Sequence, residues 1–426
     1  MRSRFLSLGG AAAASLVVSA ALLLAAAPAA QAIAPSNPVC PPTVATQGIS
    51  LPRTFALDYN DPSAHVAISE GSLPAGVALT GDETAHLRFA YSGTPTASGI
   101  ANFTVTATIS GNPVSIACSM AVFPTPTTSR IGGADRYAQA DALAHASFQT
   151  SNIVYVASGE KFTDALSAGS VAGLRSSALL LTPANAMTPG TKAEITRLQP
   201  HQIVVVGGPA SVAPAVEQGL VKDFPGATVT RIGGADRYDV SRSLLSNPSV
   251  GAGHTDWLSV ANGGNFPDAL SASPAAIARG GAVLLVDGSK TVLSDSEKHV
   301  LDGLGADQVS IAGGPASVSA ALEHDISTLY PVTRNGGADR FDVAVSINNE
   351  VFGTADTVYL ASGSTFPDAL SAAPVAGAGH NPVYLAHTDC VPGAVLQEIV
   401  RIQPSKIVVL GGANTLTAAV EALKPC

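Results

Sequence analysis

The chain has 426 residues, of which 46% are apolar and only 12% charged, with a formal net charge of −9. This hydrophobicity excludes disorder as the global state. The acidic balance, with no basic run anywhere, argues against a nucleic-acid partner. At about 100–200 residues per domain, the length fits two to four domains.

In chain order, the first stretch is an address. Arg2 and Arg4 precede an apolar run from Leu6 to Ala26, and Ala30-Gln31-Ala32 places small residues at the −3 and −1 positions of a signal-peptidase site. A signal peptide over 1–32 is therefore expected, and losing its two arginines takes the net charge from −9 to −11. An uncleaved membrane anchor is the other reading of this stretch. No other apolar run reaches about 18 residues, so no membrane contact is expected after cleavage.

Residues 33–123 read as a small β-sandwich. Phe103-Thr104-Val105-Thr106-Ala107-Thr108-Ile109 alternates apolar residues with Thr, the period of a half-buried strand. Turn chemistry surrounds it at Leu73-Pro74-Ala75-Gly76, Thr94-Pro95, Ser98-Gly99 and Gly111-Asn112-Pro113. The stretch from Leu73 to Ala107 resembles a bacterial immunoglobulin-like domain of surface proteins, which implies a two-sheet sandwich. Pro124-Thr125-Pro126-Thr127-Thr128 reads as a short extended linker, 124–128.

The four cysteines are Cys40, Cys118, Cys390 and Cys426. In a secreted chain an even number suggests two disulfides, with three pairings available. Cys40–Cys118 and Cys390–Cys426 is the pairing that keeps each bond within one predicted domain. A zinc site is disfavoured, because no two cysteines lie two to four residues apart.

From Ser129 the chain repeats itself. Arg130-Ile131-Gly132-Gly133-Ala134-Asp135-Arg136-Tyr137 returns unchanged at Arg231 to Tyr238, and as Arg-Asn-Gly-Gly-Ala-Asp-Arg-Phe at Arg334 to Phe341. A second motif, Phe-x-Asp-Ala-Leu-Ser-Ala, starts at Phe162, Phe266 and Phe366. A third occurs as Gly207-Gly208-Pro209-Ala210, Gly313-Gly314-Pro315-Ala316 and Gly411-Gly412-Ala413-Asn414. Three motifs in fixed order, three times, define three homologous units: 129–229, 230–332 and 333–426. Their period of about a hundred residues is too long for a solenoid of 20–50-residue repeats. Within a unit, short apolar runs such as Ile153–Ala157, Ala178–Thr182 and Ile203–Val206 alternate with helical segments. Thr188-Pro189 reads as a cap with Pro at the first helical position, and Ser294 with Glu297 as a capping box. Short, fully apolar strands between helices imply a parallel sheet covered on both faces.

The motifs supply candidate binding residues. Asp135, Asp236 and Asp339 sit where a helix should begin, and Arg136, Arg237 and Arg340 add a planar donor fork there. A helix start with Arg suits a phosphate or carboxylate. The same residues could instead lock a turn or dock one unit on the next, and both roles stay open. Asp164, Asp268 and Asp368 likewise suit either a helix start or a cleft at the carboxyl end of a parallel strand. Nucleotide-binding patterns are absent, and Pro209 and Pro315 remove N–H groups a phosphate cradle would use. No histidine recurs in register, and neither His-Glu-x-x-His nor Gly-x-Ser-x-Gly occurs. No catalytic residue, metal or cofactor is expected.

The combined motifs resemble the type 2 cell wall-binding repeat of Gram-positive bacteria, over about 130–426. The resemblance implies three repeats packed around a pseudo-threefold axis. It also implies non-covalent attachment of a secreted protein to the cell wall surface, through an anionic wall polymer or peptidoglycan. The sequence departs from the pattern at Thr163, Asn335, Phe341 and Ala413-Asn414. Two rival functions are a wall hydrolase with an unrecognised site and an adhesin whose β domain binds an external partner.

Overall fold

The computed structural model describes residues 38–426, apart from 53, 60–63, 83–86 and 110. The expected signal peptide lies outside the described residues. The N-terminal part of the described chain is built from β1 (Val44–Thr46), β2 (Thr54–Tyr59), β3 (His65–Gly71), β4 (Val77–Asp82), β5 (Leu87–Gly93), β6 (Gly99–Ile109) and β7 (Asn112–Phe123). They form one sheet in the order β1-β7-β6-β3 and another in the order β2-β5-β4. The alternation expected around Phe103 is explicit in β6. Phe103, Val105, Ala107 and Ile109 are buried with Tyr91, Met120 and Val122, while the threonines between them face outward. On that outer face the Thr106 hydroxyl shares hydrogen bonds with Ser69 and Ser115. Cys40 and Cys118 are joined.

The first repeat runs β8 (Thr127–Ile131), α1 (Arg136–Ser147), β9 (Ile153–Ser158), α2 (Phe162–Leu174), β10 (Ala178–Thr182), α3 (Pro189–Leu198), β11 (Gln202–Val206) and α4 (Pro214–Asp223). The second runs β12 (Thr228–Ile232), α5 (Arg237–Leu245), β13 (Trp257–Asn262), α6 (Pro267–Ala278), β14 (Ala282–Val286), α7 (Asp295–Leu304), β15 (Gln308–Ala312) and α8 (Ala320–Ser327). The third runs β16 (Val332–Asn335), α9 (Arg340–Val351), β17 (Thr357–Ser362), α10 (Pro367–Leu370), α11 (Ala372–Ala378), β18 (Val383–Ala386), α12 (Gly393–Ile402), β19 (Lys406–Leu410) and α13 (Ala418–Glu421). Local chemistry explains the helix ends. Thr188 caps α3 through the Thr191 N–H, Gln199 ends it in a left-handed conformation, and Ser294 with Glu297 forms a capping box on α7.

The sheets are parallel and offset from the sequence repeats. Their strand orders are β10-β9-β11-β12, β14-β13-β15-β16 and β18-β17-β19-β8. The strand that opens each repeat therefore completes the sheet of the repeat before it, and the first closes on the third. Thr127 and Thr128, expected as the end of a linker, are instead strand residues paired with Lys406 and Ile407. They differ from the expectation because their pairing partner lies nearly three hundred residues away.

Helices α2, α6 and α11 pack on one another at the centre. One position along them is Gly173, Ile277 or Gly377, depending on the repeat. A Cβ on either glycine would collide with the Ile277 side chain, so one large residue fills space that two glycines leave. Cys390 and Cys426 are joined in the third repeat, completing the expected pairing.

One half-buried acid departs from the repeat pattern. Asp141 on α1 accepts a hydrogen bond from Thr191 at 3.3 Å, and burial pushes its carboxyl up to about 7. The folded chain then holds this proton more tightly than the unfolded chain does. The group's stabilisation is present below about pH 4 and is lost as pH rises towards 7. Asp141→Asn is expected to melt above the wild type at pH 8 and no higher than it at pH 4. Thermal melts at the two pH values check this, and an equal difference at both would contradict it.

Candidate functional site

Each Gly-Gly-Ala-Asp-Arg segment carries a strand into a helix, and its aspartate is the N-cap. Asp135 accepts from the N–H groups of Tyr137 (2.9 Å) and Ala138 (2.8 Å), Asp236 from Asp239 (2.8 Å), and Asp339 from Phe341 (2.8 Å) and Asp342 (3.0 Å). The next residue is Arg136, Arg237 or Arg340. Its Nη1 donates to a glycine carbonyl of the same repeat: Arg136 to Gly159 at 2.6 Å, Arg237 to Gly263 at 2.7 Å, and Arg340 to Gly363. Its guanidinium also lies over a phenylalanine of the preceding repeat. Arg237 sits 6.0 Å from the Phe162 ring centre, Arg340 sits 5.8 Å from Phe266, and Arg136 sits 5.8 Å from Phe366.

These three phenylalanines stand at the starts of α2, α6 and α10 and meet edge to face or tilted, with ring centres 5.5–5.8 Å apart. All three are half-buried. An aromatic cluster thus carries one arginine from each repeat around it. Among the described residues, Nε and Nη2 of these arginines have no hydrogen-bond acceptor on the protein.

Asp164, Asp268 and Asp368 lie two residues further on. Burial raises each carboxyl above the usual range, and a hydroxyl (Ser211, Ser317 or Thr415) opposes that rise. The Ser317 hydroxyl donates to Asp268 at 2.6 Å. The arginine of the following repeat adds an attractive charge: Arg237 for Asp164, Arg340 for Asp268 and Arg136 for Asp368. These carboxylates press on Gly207, Gly313 and Gly411, whose φ angles are +114°, +104° and +97°. Glycine is needed there twice over: a Cβ would collide with the carboxylate, and the backbone is left-handed.

The arginine that opens each repeat locks the same junction. Arg231 donates to Glu217 and the Gly207 carbonyl, Arg334 to Glu323 and Gly313, and Arg130 to Glu421 and Gly411. The three motifs, separate in sequence, converge at each of three junctions. The six candidate aspartates fall into two groups. Asp135, Asp236 and Asp339 are exposed and cap helices through one carboxylate oxygen each, while Asp164 is buried and Asp268 and Asp368 are half-buried beside the arginines. The arginines do reach the surface: Arg237 is exposed, while Arg136 and Arg340 are half-buried. Sequence reasoning did not select the phenylalanines or the opening arginines as site residues. The available signal was their return in fixed register three times.

The model of the family Cell wall binding domain 2 (CWB2) matches residues 130–217, 231–323 and 334–421, more than half of the chain. The chain belongs to the CWB2 family. Cell wall binding is accordingly the coarse function of its repeats. The chain is 29% identical over 267 residues to the "Amidase enhancer" of Bacillus subtilis (strain 168), covering 63% of this chain and 36% of that one. It is 24% identical over 296 residues to "N-acetylmuramoyl-L-alanine amidase LytC" of the same organism, covering 69% and 57%. The matched region thus spans well under two thirds of either relative. Among solved structures, Cwp6 from Clostridium difficile superposes with a TM-score of 0.64 at 17% identity, over 90% of this chain and 67% of that one. Cwp8 from Clostridium difficile gives 0.61 at 21% identity, over 76% and 58%. These two share the fold.

Within this CWB2 chain, the departures of the third repeat are accommodated. Asn335 replaces a buried isoleucine and bonds to Ser310 (2.9 Å) and Glu350, so its amide is not left unpaired. Phe341, in place of tyrosine, stacks against His387 with ring centres 4.2 Å apart. Among the described residues, no group of three or more His, Cys, Asp or Glu could hold a metal ion, and no helix is long and apolar enough to cross a membrane.

Proposed function

We propose that the face around Phe162, Phe266 and Phe366 binds an anionic cell wall polymer through Arg136, Arg237 and Arg340, holding a secreted, non-enzymatic protein at the cell surface. One observation carries this reading: three arginines, one per repeat, surround a single aromatic cluster with donor nitrogens left over. A guanidinium fork suits phosphate or carboxylate, and the phenyl rings suit the apolar face of a sugar. The chain's net negative charge is screened over a Debye length of about 8 Å at physiological salt, so local donors decide binding and its salt dependence is modest. Three linked contacts add avidity. The N-terminal β domain, whose two sheets fit an immunoglobulin-like sandwich, is displayed or acts as a spacer. The names of the Bacillus relatives, an amidase and an amidase enhancer, support a wall-associated setting for this chain. Their activity stays with the longer relatives.

Co-sedimentation with purified cell walls tests the proposal. Binding is expected to native walls and to fall on walls stripped of anionic polymer by acid. Equal binding to both would shift the ligand to peptidoglycan. The adhesin reading is separated by deleting residues 33–126. That deletion leaves β8 intact from Thr127, so wall affinity is expected to stay within about twofold of the parent. A loss beyond about tenfold would move the binding function to the β domain.

A further inference from the structure

The three junctions share one architecture but differ in charge. The residue before the cluster phenylalanine is Lys161 in the first repeat, Asn265 in the second and Thr365 in the third. Lys161 is exposed, and its Nζ donates to the Ala210 carbonyl at 2.9 Å, in the Gly-Gly-Pro-Ala loop of the same junction. Asp164 there is attracted by two cations, Lys161 and Arg237. Its counterparts have one each, Arg340 for Asp268 and Arg136 for Asp368. Arg237 is also the most exposed of the three cluster arginines. The neighbouring acid, Glu160, accepts from the Ala184 N–H at 3.2 Å, on the side of Tyr137.

Resting on the polymer-binding reading of this face, we infer that the junction of the first and second repeats is the principal seat of the polymer's acidic group, held between Lys161 and Arg237. The ammonium has three donors and spends one on Ala210. The guanidinium spends one nitrogen on Gly263. The remaining donors are a point charge and a planar fork, a pair suited to one oxyanion, phosphate or carboxylate. The other two junctions offer the fork alone and serve as weaker contacts along the same polymer.

The test is a set of binding isotherms on native and acid-stripped walls for the wild type, Lys161→Asn, Asn265→Lys and the double swap. Lys161→Asn is expected to weaken binding to native walls about fivefold to tenfold. Adding Asn265→Lys should recover most of that loss by rebuilding the cation pair one junction on. Inorganic phosphate or glucuronate should displace the wild type, the effective competitor marking the oxyanion as a phosphate or a carboxylate. The inference is overturned if Lys161→Asn binds within twofold of wild type, if the swap gives no recovery, or if neither anion competes. If the wild type binds stripped and native walls equally, the polymer reading itself falls, a result distinct from the other three.

Discussion

A fragment holding only the first two repeats, residues 127–332, is expected not to fold as a stable monomer. Its β8 would lose β19, the strand it pairs with, and its second sheet would lose β16. Helices α2 and α6 would lose α11, exposing the apolar surface that Leu370, Ala372, Ala373 and Ala376 cover. Arg130 would lose both Glu421 and the Gly411 carbonyl. Exposing several fully buried side chains costs about 1.5–3 kcal/mol each for the larger ones, which competes with the whole stability of a domain at about 5–15 kcal/mol. The intact repeats, 127–426, should melt in a single transition. The fragment should show no cooperative transition, or should associate. Circular dichroism melts with size-exclusion chromatography decide this, and a fragment that melts as a monomer near the parent temperature would mean the repeats fold independently.

Much of this architecture was legible in the sequence because its causes are local. Apolar runs such as Ile153–Ala157 and the caps at Thr188 and Ser294 announce strands and helix starts from a few neighbouring residues. The three-unit organisation was legible because Arg130, Phe162 and Gly207 each return twice in the same order. The exchange of opening strands was not, since nothing near Thr127 encodes a partner at Lys406. The site was half legible. Asp135 and Arg136 are adjacent in sequence and both stood out, yet the cap commits one to backbone N–H groups and turns the other to the surface. Phe162, Phe266 and Phe366 did not stand out as site residues, because their half-buried cluster forms only when three repeats meet. The burial of Asp164 against Gly207 was hidden for the same reason: the contact joins two motifs forty residues apart.

Replacing Arg136, Arg237 and Arg340 by alanine is expected to remove polymer-dependent wall binding from a chain that still folds, at reduced stability. A hydrogen bond to a charged group contributes about 1.5–3 kcal/mol, so each arginine should account for about a tenfold change in affinity or more. Together the three should reduce binding at least a hundredfold, since linked contacts are lost at once. In the fold each arginine makes one hydrogen bond to a glycine carbonyl and one contact with a ring, about 1 kcal/mol apiece at this exposure, so the triple variant is expected to melt below the wild type and is assayed for binding below its own melting temperature. The locks formed by Arg130, Arg231 and Arg334 remain, and so do the caps at Asp135, Asp236 and Asp339. Arginine-to-lysine replacements separate charge from shape. They keep the cation and lose the planar fork, and should retain only part of the affinity.

The central claim is that one arginine from each repeat, gathered around the three phenylalanines, forms the wall-binding face. The most direct measurement is the binding isotherm of the triple alanine variant on native and acid-stripped walls, with its thermal melt recorded alongside. A folded variant whose residual binding is the same on both kinds of wall is the predicted result. A folded variant that still binds native walls as tightly as the wild type would contradict the claim and place the ligand elsewhere on the molecule.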